Sequence, residues 1–145
     1  MKLSQLVANV DGVSVSSEFD PTVQAVTDDS RKVGAGTLFI ARIGSSGDGR
    51  AFIVDAIAKG AVAICVDSPS PIGDWNQSGI PIVRAIDANK AATSLAHAFH
   101  GFPSRAMRMI GVTGTNGKTT TAYLIQHLVR QSGIRCGLLG TVVTD

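Results

Sequence analysis

Apolar positions along this chain form two kinds of pattern, short unbroken runs and spacings of three and four. Ala61-Val62-Ala63-Ile64-Cys65-Val66 is an unbroken run, which predicts a strand covered on both faces, as in parallel sheets. Thr37-Leu38-Phe39-Ile40-Ala41 and Pro81-Ile82-Val83-Arg84 read the same way, and Val23 to Val26 is a shorter strand. Val13 to Phe19 alternates weakly, as an edge strand does. Helical spacings lie between them. Leu3, Leu6 and Val7 share one side of a helix over residues 2–9, which Gly12 breaks. Phe52, Ile53, Ala56 and Ile57 mark a helix closed by Lys59-Gly60. Asp87 is an N-cap for a helix to about His100, with Ala91, Leu95, Ala98 and Phe99 facing inward. Polar, glycine- or proline-rich stretches at 27–36, 44–50 and 68–79 read as loops, with Trp75 a packing anchor in the last. Gly101-Phe102-Pro103-Ser104 ends the third helix and marks a boundary between domains at 1–104 and 105–145. The alternation predicts an α/β fold with a mainly parallel sheet and right-handed crossovers.

Beyond the boundary, Met109-Ile110-Gly111-Val112 is of strand type. A glycine-rich turn follows, then Lys118-Thr119-Thr120-Thr121, a helix to Ser132-Gly133 and a last strand over 135–143. Strand, glycine turn, Lys-Thr and helix form the layout of a phosphate-binding loop. Gly114 and Gly117 let the backbone curl so that successive N–H groups point inward at phosphate oxygens. The helix start adds unpaired donors and the positive end of its dipole. Lys118 places a full charge on the outer phosphates, and Thr119 can put its hydroxyl on Mg²⁺. The strict pattern G-x-x-x-x-G-K-[ST] fails at its first position, where Val112 stands, so Gly114-Thr115-Asn116-Gly117-Lys118-Thr119 carries the signal. The alternative is a plain glycine turn with Lys118 solvated. Gly-Lys-Thr at a strand-to-helix junction is a demanding coincidence for that alternative.

Composition narrows the classes. The 145 residues suit an ordinary domain, and 44% hydrophobic against 17% charged residues gives a core and excludes disorder. A net charge of +2 is too weak to suggest nucleic acid. No apolar run reaches the ~20 residues of a membrane helix, and residues 1–10 lack the pattern of a signal peptide. A cytoplasmic location is expected. Cys65 and Cys136 each lie in an apolar run and are expected as buried free thiols.

Two loops are candidates for an anionic or nucleotide ligand at the carboxyl ends of strands. One holds Ser30 in Asp-Asp-Ser-Arg, the other Ser45, Ser46 and Gly47. Ser, Asp and Gly are ordinary turn formers, and spacing alone favours that plainer reading. Arg31 and Arg50 read equally well as surface ion pairs. His97 and His100 share a helix face without a third ligand, so no metal site is expected there. His127 packs or faces solvent.

Three stretches resemble the Mur ligases, which build the peptide stem of peptidoglycan. They are Asp29-Ser30-Arg31-Lys32-Val33 with Gly36 and Leu38-Phe39; Gly44 with Asp48-Gly49-Arg50, Phe52 and Gly60-Ala61; and Phe102-Pro103-Ser104 leading to Ile110 through Thr120. With Gly140-Thr141-Val142, their order is most similar to the member that adds the third amino acid. That member joins diaminopimelate or lysine to UDP-N-acetylmuramoyl-L-alanyl-D-glutamate. The D-alanyl-D-alanine-adding member is the nearest rival.

The family also carries Val or Ile at the place of Val112. Asp28, where relatives often have Leu, and the two serines of the second loop, where His-Gln is common, are departures. The resemblance implies an N-terminal UDP-sugar domain followed by the first strand–loop–helix–strand unit of a central ATPase domain. It implies that Ser30, Ser45, Ser46 and Gly47 contact the UDP-sugar. It further implies that Gly114, Thr115, Asn116, Gly117, Lys118, Thr119 and Thr120 bind ATP, with Lys118 catalytic and Thr119 towards Mg²⁺. The family's modified lysine and C-terminal domain have no counterpart here, so this stretch alone is expected not to complete ligation. Its truncated sheet edge is expected to promote self-association or local disorder. A non-catalytic UDP-sugar-binding module is the second reading. A small P-loop kinase is the third, and it lacks room for lid arginines.

Overall fold

The computed structural model describes residues 1–15, 17–44, 47–69 and 79–140. In chain order its elements are α1 (Leu3–Val7), β1 (Val13–Val15), β2 (Ala25–Thr27), β3 (Thr37–Ile40), β4 (Ile43–Gly44), β5 (Gly47–Asp48), α2 (Ile53–Ala58), β6 (Ala61–Asp67), β7 (Ile82–Ala85), α3 (Ala88–Phe99) and α4 (Lys118–Gln131). They fall into two units, residues 1–106 and 107–145.

In the first unit the unbroken apolar runs pair with each other. The sheet order is β1-β7-β6-β3-β2, with β7, β6, β3 and β2 parallel and β1 antiparallel on the β7 edge. The mainly parallel α/β sheet is therefore as expected. Every residue of β3 is buried, and its side chains divide between two cores. Leu38 and Ile40 join Ala63, Cys65 and Val83 beneath α1 and α3, which contribute Leu3, Leu6, Ala91, Leu95 and Ala98. Phe39 and Ala41 join Ile64 and Val66 beneath α2, which contributes Ile53 and Ala56. Burying a Leu or Ile side chain contributes about 1.5–3 kcal/mol, so apolar side chains are needed on both faces of these strands.

One irregularity interrupts this division. Thr37 pairs with Ala61 but Leu38 with Ala63, so Val62 is an extra residue on β6. A bulge reverses the facing of what precedes it, which puts Ala61 in the same core as Ile64 and Val66. The Cys65 thiol is wholly buried, and desolvation, with a smaller effect from Asp67, pushes its pKa up to about 12.

Two short turns leave the same edge of the sheet by one local device. Asp29 caps a 3-10 turn over Ser30–Lys32, and Asp48 caps another over Gly49–Phe52. Each carboxylate accepts the backbone N–H and the guanidinium of the arginine two residues on. Arg31 reaches Asp29 at 2.8 Å, and Arg50 reaches Asp48 at 2.6 Å. Arg31 and Arg50 are thus partners within their own turns. The side-chain bond from Arg31, followed by its backbone N–H, lowers the Asp29 pKa to about 2. Asp48 is lowered by Arg50 in the same way.

Several boundaries differ from expectation. Ile43–Gly44 and Gly47–Asp48 pair as the small antiparallel hairpin β4–β5, where an open loop was expected. Phe52 caps α2 and is exposed. Trp75 lies outside the described residues. In the second unit only α4 is regular among the described residues. The strand expected at 109–112 forms no ladder there, and neither do 135–138; Leu139 makes a single bridge. A strand exists only through a hydrogen-bonded neighbour, and no described residue supplies one. Cys136 is half-buried rather than enclosed. The outer face of α4 leaves Leu124 and Leu128 exposed. No helix among the described residues is long and apolar enough to cross a membrane.

Leu38→Ala and Ile64→Ala, which empty one core each, are expected to destabilise the chain by ~2–5 kcal/mol in urea unfolding followed by circular dichroism, whereas Leu124→Ala is expected to stay within about 0.5 kcal/mol. Asp29 has a folded pKa below its unfolded value of 3.8, so its contribution is present above that value and lost as pH falls through about 2. Carboxyl carbon shifts are expected to show Asp29 titrating near pH 2, and to move upward in Arg31→Ala.

Candidate functional site

In the first unit, parallel pairing sends the carboxyl ends of β2 and β3 to one edge. Ser30 follows β2, half-buried, at the start of its capped turn; its carbonyl accepts a 3.0 Å hydrogen bond from Lys59. Gly47 opens β5 in the hairpin that follows β3, and it is exposed. Ser45 and Ser46 lie outside the described residues. Topology therefore brings the two candidate loops to the same edge of one sheet, where ligands of open α/β sheets bind.

Arg42 stands between these loops. Its Nε donates to Asp28 at 2.6 Å and its Nη1 to Asn89 at 3.2 Å. A depression of about 260 Å³ beside it is lined by Thr27, Asp28 and Ile40 of the sheet edge and by Ala92, Thr93 and Ala96 of α3. Asn89 lies in the first turn of α3, whose start is fixed by two carboxylates. Asp87 accepts from Asn89 N–H and Lys90 N–H, and Asp67 accepts from Ala88 N–H at 2.6 Å. Sequence reasoning gives Arg42 and Asn89 no weight. The available signal was an arginine directly after a wholly buried strand.

The second unit is built around the glycine turn. Gly114 has φ +146° and Gly117 φ +75°, in the region that disfavours side chains. Gly117 is the N-cap of α4 and offers no side-chain acceptor to the helix. The first helical bond runs from Thr121 N–H to Gly117 O at 2.9 Å. The N–H groups of Lys118, Thr119 and Thr120 precede it and have no helical carbonyl to reach. Lys118 curls over the turn, its ammonium 2.6 Å from Gly114 O and 3.2 Å from Thr115 O. All residues from Thr113 to Thr121 are exposed. N–H groups without helical partners, a helix N-terminus and a lysine held on the carbonyls of the same turn suit a polyphosphate. Thr119 is at the second helical position, next to Lys118. A wide depression at the other end of α4, lined by Arg130, Ile134 and Cys136, is open surface away from this turn.

His97 forms no metal cluster; its Nε2 is 2.7 Å from Ser104 Oγ and its ring meets Phe102 edge-on. Among the described residues no three or more of His, Cys, Asp and Glu come together as a metal-binding group.

Comparison with known proteins places both units. Residues 22–100 match the model of the Mur ligase family catalytic domain, and residues 112–145 match the Mur ligase middle domain. The chain is 39% identical over 142 residues to the UDP-N-acetylmuramoyl-L-alanyl-D-glutamate--2,6-diaminopimelate ligase of Geobacillus kaustophilus, covering 98% of this chain and 28% of that protein. The chain thus spans under a third of the length of the curated relatives it matches. Among solved structures it is similar to MurF of Acinetobacter baumannii, with TM-score 0.62 and 21% identity over 88% of this chain and 27% of that one. It is also similar to the MurF ligase of Thermotoga maritima in complex with ADP, with TM-score 0.52 and 27% identity over 75% of this chain and 24% of that one. With a family model covering most of the first unit and a second model beginning at the glycine turn, this chain belongs to the Mur ligase family.

Proposed function

We propose that this chain is the N-terminal part of the ligase that adds the third amino acid, diaminopimelate or lysine, to UDP-N-acetylmuramoyl-L-alanyl-D-glutamate. The observation that carries this reading is the similarity along nearly the whole chain to relatives named for the diaminopimelate reaction. The likeness to the D-alanyl-D-alanine-adding ligase is structural and at lower identity, so it supports the fold and ranks second. A UDP-sugar-binding module without catalysis remains the reading to be separated by experiment.

In this reading residues 1–104 hold the UDP-sugar, with Ser30, Ser45, Ser46 and Gly47 towards the uridine diphosphate. Residues 105–145 begin the ATP domain, in the cytoplasm. The backbone N–H groups from Gly114 to Thr120, including those of Thr115 and Asn116, take the phosphates. Lys118 moves from the Gly114 and Thr115 carbonyls onto the outer phosphates, where its charge offsets the negative charge of the transferring group. Thr119 is the residue whose hydroxyl would hold Mg²⁺, and the ion would offset negative charge on the phosphates. The reaction class is activation of the D-glutamate γ-carboxylate by phosphoryl transfer, then displacement of phosphate by the incoming amine. The two ligands meet different units, so their sites can be disabled separately.

Calorimetric titration with UDP-N-acetylmuramoyl-L-alanyl-D-glutamate and, separately, with Mg-ATP tests this. Lys118→Ala is expected to weaken Mg-ATP about 10- to 100-fold, as loss of a charge-assisted contact does, and to leave the UDP-sugar unchanged. Ser30→Ala is expected to do the reverse, with a smaller loss. Absence of UDP-sugar binding by the unaltered chain, or Mg-ATP binding indifferent to Lys118, would overturn the assignment. The chain alone is expected to give no amide product.

A further inference from the structure

We propose that Arg42 is a positioning residue that ties the Ser30 turn and the β4–β5 hairpin into one ligand edge. This rests on the reading of the first unit as the UDP-sugar domain. Three attachments converge on Arg42. Its Nε donates to Asp28, which directly precedes the Asp29 cap of the Ser30 turn. Its Nη1 donates to Asn89, in the first turn of α3. Its carbonyl accepts the Gly49 N–H at 2.9 Å.

The last contact closes the base of the hairpin. Arg42 immediately precedes β4, and Gly49 immediately follows β5. The two backbones lie so close that a Cβ on Gly49 would sit 2.7 Å from Arg42 O and 3.0 Å from Arg42 N. The hairpin is thus seated on the Arg42 backbone, while the Arg42 side chain grips the neighbouring turn and a helix end. Among the described residues, no other side-chain hydrogen bond joins the segment around Ser30 to the hairpin.

The Arg42–Asp28 pair is 39% exposed on each side, and exposed pairs add little to stability. Its effect is geometric. Without these contacts the Ser30 turn and the base of the hairpin would have to be brought into register by the ligand, and that ordering costs affinity. A planar guanidinium with donors in a fixed fork can hold two acceptors at once, and a lysine cannot hold them in the same geometry.

The test is titration of the chain with UDP-N-acetylmuramoyl-L-alanyl-D-glutamate, with thermal unfolding measured on the same samples. Arg42→Ala and Asp28→Ala are each expected to weaken binding about five- to twentyfold, the cost of ordering a few side chains, with melting midpoints unchanged within about 2 °C. The double variant is expected to bind no more weakly than Arg42→Ala, and Arg42→Lys to recover part of the loss. Wild-type affinity in Arg42→Ala would overturn the proposal. So would wild-type affinity in Asp28→Ala beside a weakened Arg42→Ala, which would mean that Arg42 touches the ligand itself. A midpoint that falls in step with affinity would reduce Arg42 to a structural role. Amide exchange at Gly49, measured without ligand, keeps this separate from the functional reading: it is expected to quicken in Arg42→Ala, and unchanged exchange would overturn the positioning role alone. No binding by the unaltered chain would count against the UDP-sugar reading itself.

Discussion

Burial of the two central parallel strands, β3 and β6, on both faces is the constraint on which the first unit depends. A parallel strand cannot be followed by a tight turn into its neighbour, so the chain must leave at the carboxyl edge and return by another route. β2 and β3 are adjacent and parallel, and the segments that follow them therefore begin at the same edge. The Ser30 turn and the β4–β5 hairpin are neighbours for that reason, although sixteen residues of chain separate Ser30 from Gly47. Local chemistry then stiffens each segment: an aspartate cap and its arginine shape both 3-10 turns, and Arg42 links the two.

The second unit works by a different principle. It exposes what the first one buries. Glycines at positive φ bring α4 out of the turn with its first N–H groups unpaired, and Lys118 is held over the turn carbonyls instead of extending into solvent. Little of this arrangement depends on a core. Its demands are local backbone geometry and the charge of one side chain, so it can be complete in a unit whose α4 keeps Leu124 and Leu128 exposed.

How much was legible follows from the range of each interaction. The buried strands were legible because an unbroken apolar run such as Ala61–Val66 has few other uses, and Asp87 announced α3 because a cap acts over three residues. The glycine turn was legible as a motif, since its geometry is written in Gly114, Gly117 and Lys118. The bulge at Val62 was not, because an all-apolar run carries no alternation to break. The hairpin was missed because Gly44 and Gly47 look like loop residues until their pairing is seen. The strand expected at 109–112 forms no ladder for the opposite reason: apolar character is present, and among the described residues no partner strand is. Of the edge, Ser30 and Gly47 could be named from the chain, but Arg42 could not. Its partners Asp28 and Asn89 are 14 and 47 residues away in sequence.

The central claim is that each unit receives its own ligand, a uridylated sugar at the sheet edge and a triphosphate at the glycine turn. Amide chemical-shift mapping of the whole chain tests it most directly. Addition of UDP-N-acetylmuramoyl-L-alanyl-D-glutamate should move the amides of Ser30, Gly44 and Gly47 and leave those of Gly114 to Thr120 in place, and Mg-ATP should do the opposite. Shifts at the glycine turn on adding the UDP-sugar, or none at the sheet edge, would contradict it.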